Sequence, residues 1–106
     1  MAAVKNRLGW YRGALDVEGN ITGWTGRRIG HVDADGTIWN WWGLRRGLVE
    51  PDGTILNRWG FKRGSVEPDG TVRNRFGWFK GTVDPTGNLV QMGGAARLLL
   101  LRGKMV

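Results

Sequence analysis

At 106 residues the chain is long enough for about one small domain, and the absence of cysteine excludes both a disulfide scaffold and a thiolate metal site. Lys and Arg number 16 against nine Asp and Glu, and the resulting net charge of +7 favours anionic partners. The longest apolar run, Leu98–Leu101, is far too short to cross a membrane, and the first residues lack the apolar run of a signal peptide. We therefore expect a protein of the cytoplasm or of the periphery of a membrane.

Glycine reveals a repeat of 17 residues. The chain contains 19 glycines, well above the usual share of about 7%. Sixteen of them fall into three columns with this spacing, which excludes both a flexible linker and collagen. We predict one domain over residues 1–106, with a partial unit at each end and repeats that begin near Gly13, Gly30, Gly47, Gly64 and Gly81.

Each repeat is predicted to form two short strands and two turns. In Glu50–Gly53, Pro fits the second position of a type I turn, Asp fits the third, and Gly fits the left-handed position that follows. Asn57–Gly60 has a similar pattern, and the residues between the turns are rich in β-branched and aromatic side chains. A further glycine inside each longer strand, such as Gly81, predicts a one-residue bulge. The chain is therefore predicted to be all-β.

The two ends of the chain each match half a repeat. Val4–Arg7 aligns with the strand after a Pro-Asp-Gly turn, and Leu98–Leu101 aligns with the strand before one. Pairing these ends would make a sixth hairpin. It would close six hairpins, or twelve short antiparallel strands, into a pseudo-symmetric ring without exposed edges. An open stack of hairpins is the alternative, and only residues 94–102 show a weak helical pattern.

The repeated pattern V-[DE]-P-D-G-[TN]-[IV]-x-N-x-[WF]-G, clearest over residues 30–80, resembles the bacterial β-flower proteins. The resemblance covers nearly the whole chain, from Val4 to Leu101, and weakens where Gln91–Gly94 replaces Asn-Arg-Trp-Gly. It implies a ring of radiating hairpins but no assigned activity. A likeness in shape to tubby-type barrels suggests lipid binding by analogy only.

Acidic and basic residues divide between the two kinds of turn. All nine acids flank the turns of the Pro-Asp-Gly type, whereas most basic residues lie around the other turn. Strands of four to six residues would separate the two ends by roughly 13–20 Å. That separation exceeds the Debye length of about 8 Å, so the acids cannot neutralise the basic end. The candidate residues for binding an anionic surface are Arg28, Arg45, Arg46, Arg58, Lys62, Arg63, Arg75 and Lys80.

Aromatic residues concentrate at the same basic turns. Ten of the eleven lie within two residues of one glycine column, Trp39 being the exception. Because a sheet of short strands has little else to fill its centre, we expect most of them to be buried, with Arg side chains stacked on some. The candidate aromatic platform or core comprises Trp24, Trp41, Trp42, Trp59, Phe61, Phe76 and Trp78.

These patterns favour a non-enzymatic binding module whose basic, Trp-rich pole contacts an anionic surface, foremost lipid headgroups. The alternatives are a lectin-like carbohydrate binder, a single-stranded nucleic-acid binder, and a purely structural or engineered symmetric scaffold. Catalysis lacks support, because nothing at a suitable spacing singles out the lone His31 or the lone Ser65. No cofactor or metal is expected, since Asp33 and Asp35 fit turn chemistry better than a calcium loop, which needs a later bidentate Glu. The oligomeric state is left open.

Overall fold

Short antiparallel strands are the main regular elements of the chain in a computed structural model, which describes residues 1–101. This part of the chain contains ten strands and one helix. The strands are β1 (Ala2–Asn6), β2 (Tyr11–Leu15), β3 (Asn20–Gly23), β4 (Arg28–Val32), β5 (Thr37–Asn40), β6 (Arg45–Val49), β7 (Thr54–Asn57), β8 (Lys62–Val66), β9 (Thr71–Asn74) and β10 (Phe79–Val83). The helix is α1 (Leu89–Leu99).

The strands form a closed barrel in which each strand pairs with its neighbours in sequence. Closure comes from β1 and β10, where Val4 lies opposite Val83 and Asn6 opposite Gly81. The predicted closed ring is thus confirmed, and the open stack is wrong. The predicted sixth hairpin is also wrong, because β10 occupies the edge of β1 that Leu98–Leu101 was expected to fill. Residues 1–101 contain ten strands rather than twelve.

The acidic turns have the geometry that their sequence predicts. The Asp52 carboxylate accepts a hydrogen bond from the Thr54 backbone N–H at 2.9 Å, and Gly53 follows with a φ of 94°. Val66 lies opposite Val72 across the next turn of this type, as expected. The turn residues therefore fix the register of the hairpins, and the turn explains its aspartate without a ligand.

A register shift occurs beside the glycine of each longer strand, as the sequence predicts. In β8, Gly64 lies opposite Ile55 while Lys62 lies opposite Leu56, so that Arg63 is the extra residue of a bulge. The corresponding extra residues in β2, β4, β6 and β10 are Arg12, Ile29, Arg46 and Lys80. Because a bulge redirects side chains, these five residues and their glycines interrupt the normal alternation of inward and outward faces.

The helix lies inside the barrel rather than on its surface. Every residue from Met92 to Leu99 is buried, although these residues cover all sides of a helix. A helix buried on all sides needs surrounding structure on all sides, and α1 contacts strands around the barrel. Asn88 caps its first turn by accepting a hydrogen bond from the Gln91 N–H at 3.0 Å. The sequence prediction of a strand at Leu98–Leu101 is corrected accordingly.

Helix and barrel fit each other in two layers. In one layer, valines and isoleucines of the strands face the small residues of the helix. The fit is close, because a Cβ added at Gly94 would lie only 2.6 Å from the Val32 Cβ. At the layer of strand glycines, the helix and the residues after it present leucines; a Cβ at Gly30 would lie 2.8 Å from the Leu98 Cδ1. Interiors are close-packed, so large residues on one surface require small ones on the other.

Acid is expected to weaken the barrel through its turn aspartates. Hydrogen bonds from the backbone N–H and then the hydroxyl of Thr54 lower the pKa of Asp52 below its ordinary value, and Asp35 and Asp69 are lowered in the same way. A carboxyl with a depressed native pKa stabilises the fold above its unfolded pKa, and that stability disappears as the pH falls through the native pKa.

We therefore expect the free energy of unfolding to decrease when the pH is lowered below about 4, the ordinary pKa of an aspartate. Substituting all three aspartates by Asn keeps an acceptor for the Thr N–H but removes the titration. Urea unfolding between about pH 6 and pH 3 should show a shallower fall for the triple variant. Equal slopes for the variant and the wild type would contradict this reasoning.

Candidate functional site

Alternate turns of the barrel lie at opposite ends, because neighbouring strands run antiparallel around the ring. One end carries the five turns that follow β1, β3, β5, β7 and β9. We call this end the basic rim; its turns are 6–10, 23–27, 40–44, 57–61 and 74–78. The other end carries the acidic turns, with all nine Asp and Glu residues of the sequence.

An asparagine holds each of four rim turns in shape. The Asn57 Oδ1 accepts hydrogen bonds from the backbone N–H groups of Trp59 at 2.9 Å and Phe61 at 3.0 Å. Asn6, Asn40 and Asn74 do the same in their own turns, and Gly23 stands at this position in the fifth. Because the side chain satisfies the backbone from inside the turn, the residues between project away from it.

The aromatic residues of the rim are exposed, which corrects the expectation that most of them form the core. Trp42, Trp78 and Phe61 are 68%, 70% and 69% exposed. The other members of the candidate platform are also more than half exposed: Trp24, Trp41, Trp59 and Phe76. The core needs no aromatics, because Val and Ile side chains of the strands together with α1 fill it.

The exposed apolar surface of the rim extends beyond the residues that the sequence singled out. Trp10, Tyr11 and Phe79 are also exposed, and so are Leu8 at the tip of its turn and Leu44 at the end of its turn. Apolar side chains are thus exposed on all five rim turns. A concentration of exposed apolar side chains at one end of a protein is typical of an interaction site.

The candidate cations form an exposed group and a half-buried group. Arg28, Arg45, Arg58, Lys62 and Arg75 are exposed around the rim. Arg46, Arg63 and Lys80 are half-buried, since they are the bulge residues next to the strand glycines. The structure therefore places all eight candidates at one end of the barrel, at two depths.

Some rim arginines stack on the aromatics, as expected. The Arg58 guanidinium lies 4.5 Å from the centroid of the Trp59 ring, and that of Arg75 lies 4.8 Å from Phe76. Arg27 lies 5.8 Å from Trp41 of the neighbouring turn. These contacts hold positive charge directly beside exposed aromatic faces.

The sequence pattern placed Arg12 among the basic residues of this end without including it in the candidate site, and it did not associate Arg97 with this end. Arg12 is the bulge residue of β2, and its position before a strand glycine is the signal that it shares with Arg46 and Arg63. Arg97 lies on α1 and is 1% exposed. Arg97 reaches this end of the barrel only because the helix is enclosed by the strands, so no local sequence pattern could have assigned it to the site.

Ion pairs do not connect the two ends of the barrel within residues 1–101. In this part of the chain Glu67 pairs with Arg73 at 3.5 Å, and the Asp33 carboxylate lies 3.4 Å from the His31 ring; none of the eight candidate cations has an acidic partner. Strands of four or five residues span about 13–17 Å, longer than the Debye length of about 8 Å. The rim therefore keeps its positive charge.

Residues 1–101 contain no cluster of three or more His, Cys, Asp or Glu residues that could hold a metal ion. Among residues 1–101 there is no helix with the combination of length and apolar character that crossing a membrane requires. Comparison with protein-family models, curated proteins and solved structures finds no significant match for this chain.

Proposed function

We propose that the protein is a non-enzymatic binding module whose basic rim docks on an anionic lipid surface. The observation that carries this proposal is the exposure of aromatic and aliphatic side chains at the tips of turns all around one end of a closed barrel. The turns stand in a ring at one end of the barrel, so a membrane surface could contact all of them at once. Trp, Phe and Leu suit the apolar boundary of a bilayer, while Arg and Lys suit its headgroups.

Electrostatics gives the proposed docking its direction. Each basic residue near an anionic membrane contributes about 1 kcal/mol. Five exposed candidate cations stand at the rim, whereas all nine acids lie at the far end and would face away from the lipid. This orientation avoids repulsion, because the acids would remain more than a Debye length from the surface.

The alternative binding functions share the exposed aromatics but fit the other features less well. A lectin-like site would need free polar groups beside the rings, and the Oδ1 atoms of the rim asparagines already accept backbone hydrogen bonds. Single-stranded nucleic acid would need a groove that follows its backbone. The resemblance to β-flower proteins stays a prediction and adds no ligand.

The test is co-sedimentation with vesicles of phosphatidylserine and phosphatidylcholine, against vesicles of phosphatidylcholine alone. We expect binding to the anionic vesicles only, weakening as salt is added. Replacing Arg45, Arg58, Lys62 and Arg75 by Gln should lower the affinity by about 100- to 1000-fold, if each cation contributes about 1 kcal/mol.

A matched pair of single variants separates rim charge from net charge. Arg58→Gln and Arg73→Gln change the net charge equally, but the Arg73 guanidinium is already paired with Glu67 and also donates a hydrogen bond to the Gly77 carbonyl oxygen, so its charge is not free at the rim. We expect Arg58→Gln to weaken binding about fivefold and Arg73→Gln to change it little. Equal losses, or binding that is indifferent to lipid charge, would refute the proposal; preferential binding to oligonucleotides or glycans would favour the alternatives.

A further inference from the structure

The bulge residues form a second, deeper ring inside the basic rim. We call Arg12, Ile29, Arg46, Arg63 and Lys80 the mouth ring. All five are half-buried, whereas the residue before each of them is exposed. Ile29 packs against the core, and the Arg63 Nη2 donates to the Leu101 carbonyl oxygen at 3.4 Å, just beyond the end of α1. The mouth ring thus carries four cations around the end of the helix.

A fifth cation, Arg97, lies buried at this end of α1. Its Nη1 donates at 3.2 Å to the same Leu101 carbonyl oxygen that accepts from Arg63, so the two guanidinium groups are close neighbours. Burial, together with the positive charges of Arg63 and Arg46, lowers the pKa of Arg97 to about 10. The guanidinium is therefore held charged at neutral pH in surroundings that disfavour its charge.

These arginines keep donors without acceptors. The Nε and Nη2 of Arg97 and the Nε of Arg63 are buried and have no hydrogen-bond partner in the described part of the chain. All acids of the sequence flank the turns at the opposite end of the barrel. A buried charge with unsatisfied donors strongly disfavours the folded state unless an opposite charge joins it.

A cavity opens beside this cluster. It has a volume of about 220 Å³, and its lining includes Arg63, Arg75 and Lys80, with Leu100 and Leu101 contributing apolar surface. Since a water molecule occupies about 30 Å³ in the liquid, the cavity has room for a phosphate group with its five heavy atoms. Arginine donors pair with phosphate oxygens two at a time, and several cations suit its double negative charge.

We propose that Arg63 and Lys80 of the mouth ring, together with Arg75 and next to the buried Arg97, form a binding site for a phosphate monoester group, supplied either by free phosphate or by a lipid headgroup. Tetrahedral phosphate offers more acceptor oxygens than a carboxylate. In the cavity it would contact Arg63, Arg75 and Lys80, and its negative charge would offset the buried charge of Arg97 beside Arg63. The headgroup form of this inference rests on the proposed function, whereas the free-phosphate form does not.

The first test measures the melting temperature in sodium phosphate and in sodium chloride of equal ionic strength. A ligand that binds the native state raises the melting temperature, by about 10 °C once it exceeds its Kd about 100-fold. Phosphate also stabilises proteins generally, so the comparison is with Arg97→Met. We expect that variant to melt higher than the wild type in chloride, because it removes an unpaired buried charge, and to lose the phosphate-specific rise.

A second variant is needed because Arg97→Met could alter the phosphate response by changing the packing around residue 97. Arg63→Gln removes a half-buried cation and should lower the affinity for inorganic phosphate at least tenfold in a ³¹P NMR titration. Arg58→Gln, on the exposed rim, should leave that affinity unchanged. Equal phosphate responses of the wild type, Arg97→Met and Arg63→Gln would overturn the site.

Vesicles distinguish the two sources of phosphate. At equal surface charge, a headgroup site should favour phosphatidic acid, a monoester, over phosphatidylserine by about tenfold, and Arg63→Gln should abolish that preference. A phosphate-specific rise in melting temperature without this preference supports the free-phosphate form. If the wild-type protein binds no vesicles but still shows the phosphate-specific rise in melting temperature, the membrane function is refuted and the phosphate site is supported. If it binds anionic vesicles but does not respond to phosphate, only the phosphate site is refuted.

Discussion

Replacing Gly93 and Gly94 by alanine is expected to lower the free energy of unfolding by about 2–4 kcal/mol, as each added methyl overpacks the barrel. A Cβ at Gly93 would lie 2.5 Å from the Val49 Cγ1, and one at Gly94 would lie 2.6 Å from the Val32 Cβ. Both valines are β-branched and stand on barrel strands, so neither can move aside easily. The effect is large against the total stability of a small domain, about 5–15 kcal/mol.

The sign of this effect distinguishes an enclosed helix from one on the surface. In an exposed helix, each Gly→Ala change would instead stabilise by up to about 1 kcal/mol through helix propensity. Gly23→Ala is the control, because its Cβ would be at an ordinary 3.6 Å from the Ile29 Cγ2. We expect it to change stability by less than about 0.5 kcal/mol. Urea unfolding of both variants measures this, and stabilisation by the helix substitutions would contradict an enclosed α1.

Substituting the rim tryptophans is expected to weaken membrane binding strongly while leaving the fold intact. Trp24, Trp42, Trp59 and Trp78 are all more than half exposed, and each would bury part of its ring in the bilayer boundary. If each contributes about 1 kcal/mol through buried apolar area, the fourfold change to Ser lowers vesicle affinity by about 100- to 1000-fold.

Stability and binding should therefore separate in this variant. Exposed side chains contribute little to folding, so we expect the free energy of unfolding to fall by less than about 2 kcal/mol in total. The rim cations remain, and residual binding should keep its salt dependence. Circular dichroism, urea unfolding and vesicle co-sedimentation give the three readouts. If the variant unfolds, the tryptophans contribute to the core after all. If its vesicle affinity is unchanged, the tryptophans do not take part in lipid binding.

Local sequence patterns were sufficient for the barrel wall. The Pro-Asp-Gly turns fix the hairpin geometry through contacts within four or five residues. A glycine inside a longer strand predicts the bulge beside it, as at Arg63 and Gly64. Closure was also predictable, although its partner strands were misassigned. Val4 pairs with Val83 because the chain reaches the edge of β1 two strands, or one hairpin, earlier than the repeat suggested.

The contents of the barrel were not predictable from the repeat. Gly94 continues a glycine column of the hairpins, yet it belongs to a helix whose stability comes from enclosure rather than from its own sequence. Once the helix fills the interior, no space is left for the aromatics, and they become exposed. The burial of Arg97 follows from the same event. The placement of α1 inside the barrel therefore determines both the exposure of the aromatics and the burial of Arg97.

The most direct test of the account is the depth of the rim tryptophans in a bilayer. Six of the seven tryptophans lie at or beside the rim turns, so their fluorescence reports on this end of the barrel. The measurement is quenching by anionic vesicles whose acyl chains carry bromine near the headgroup. We predict strong quenching that disappears in neutral vesicles and at high salt. Full fluorescence in the presence of anionic brominated vesicles, from protein that is folded, would contradict a rim that enters the lipid surface.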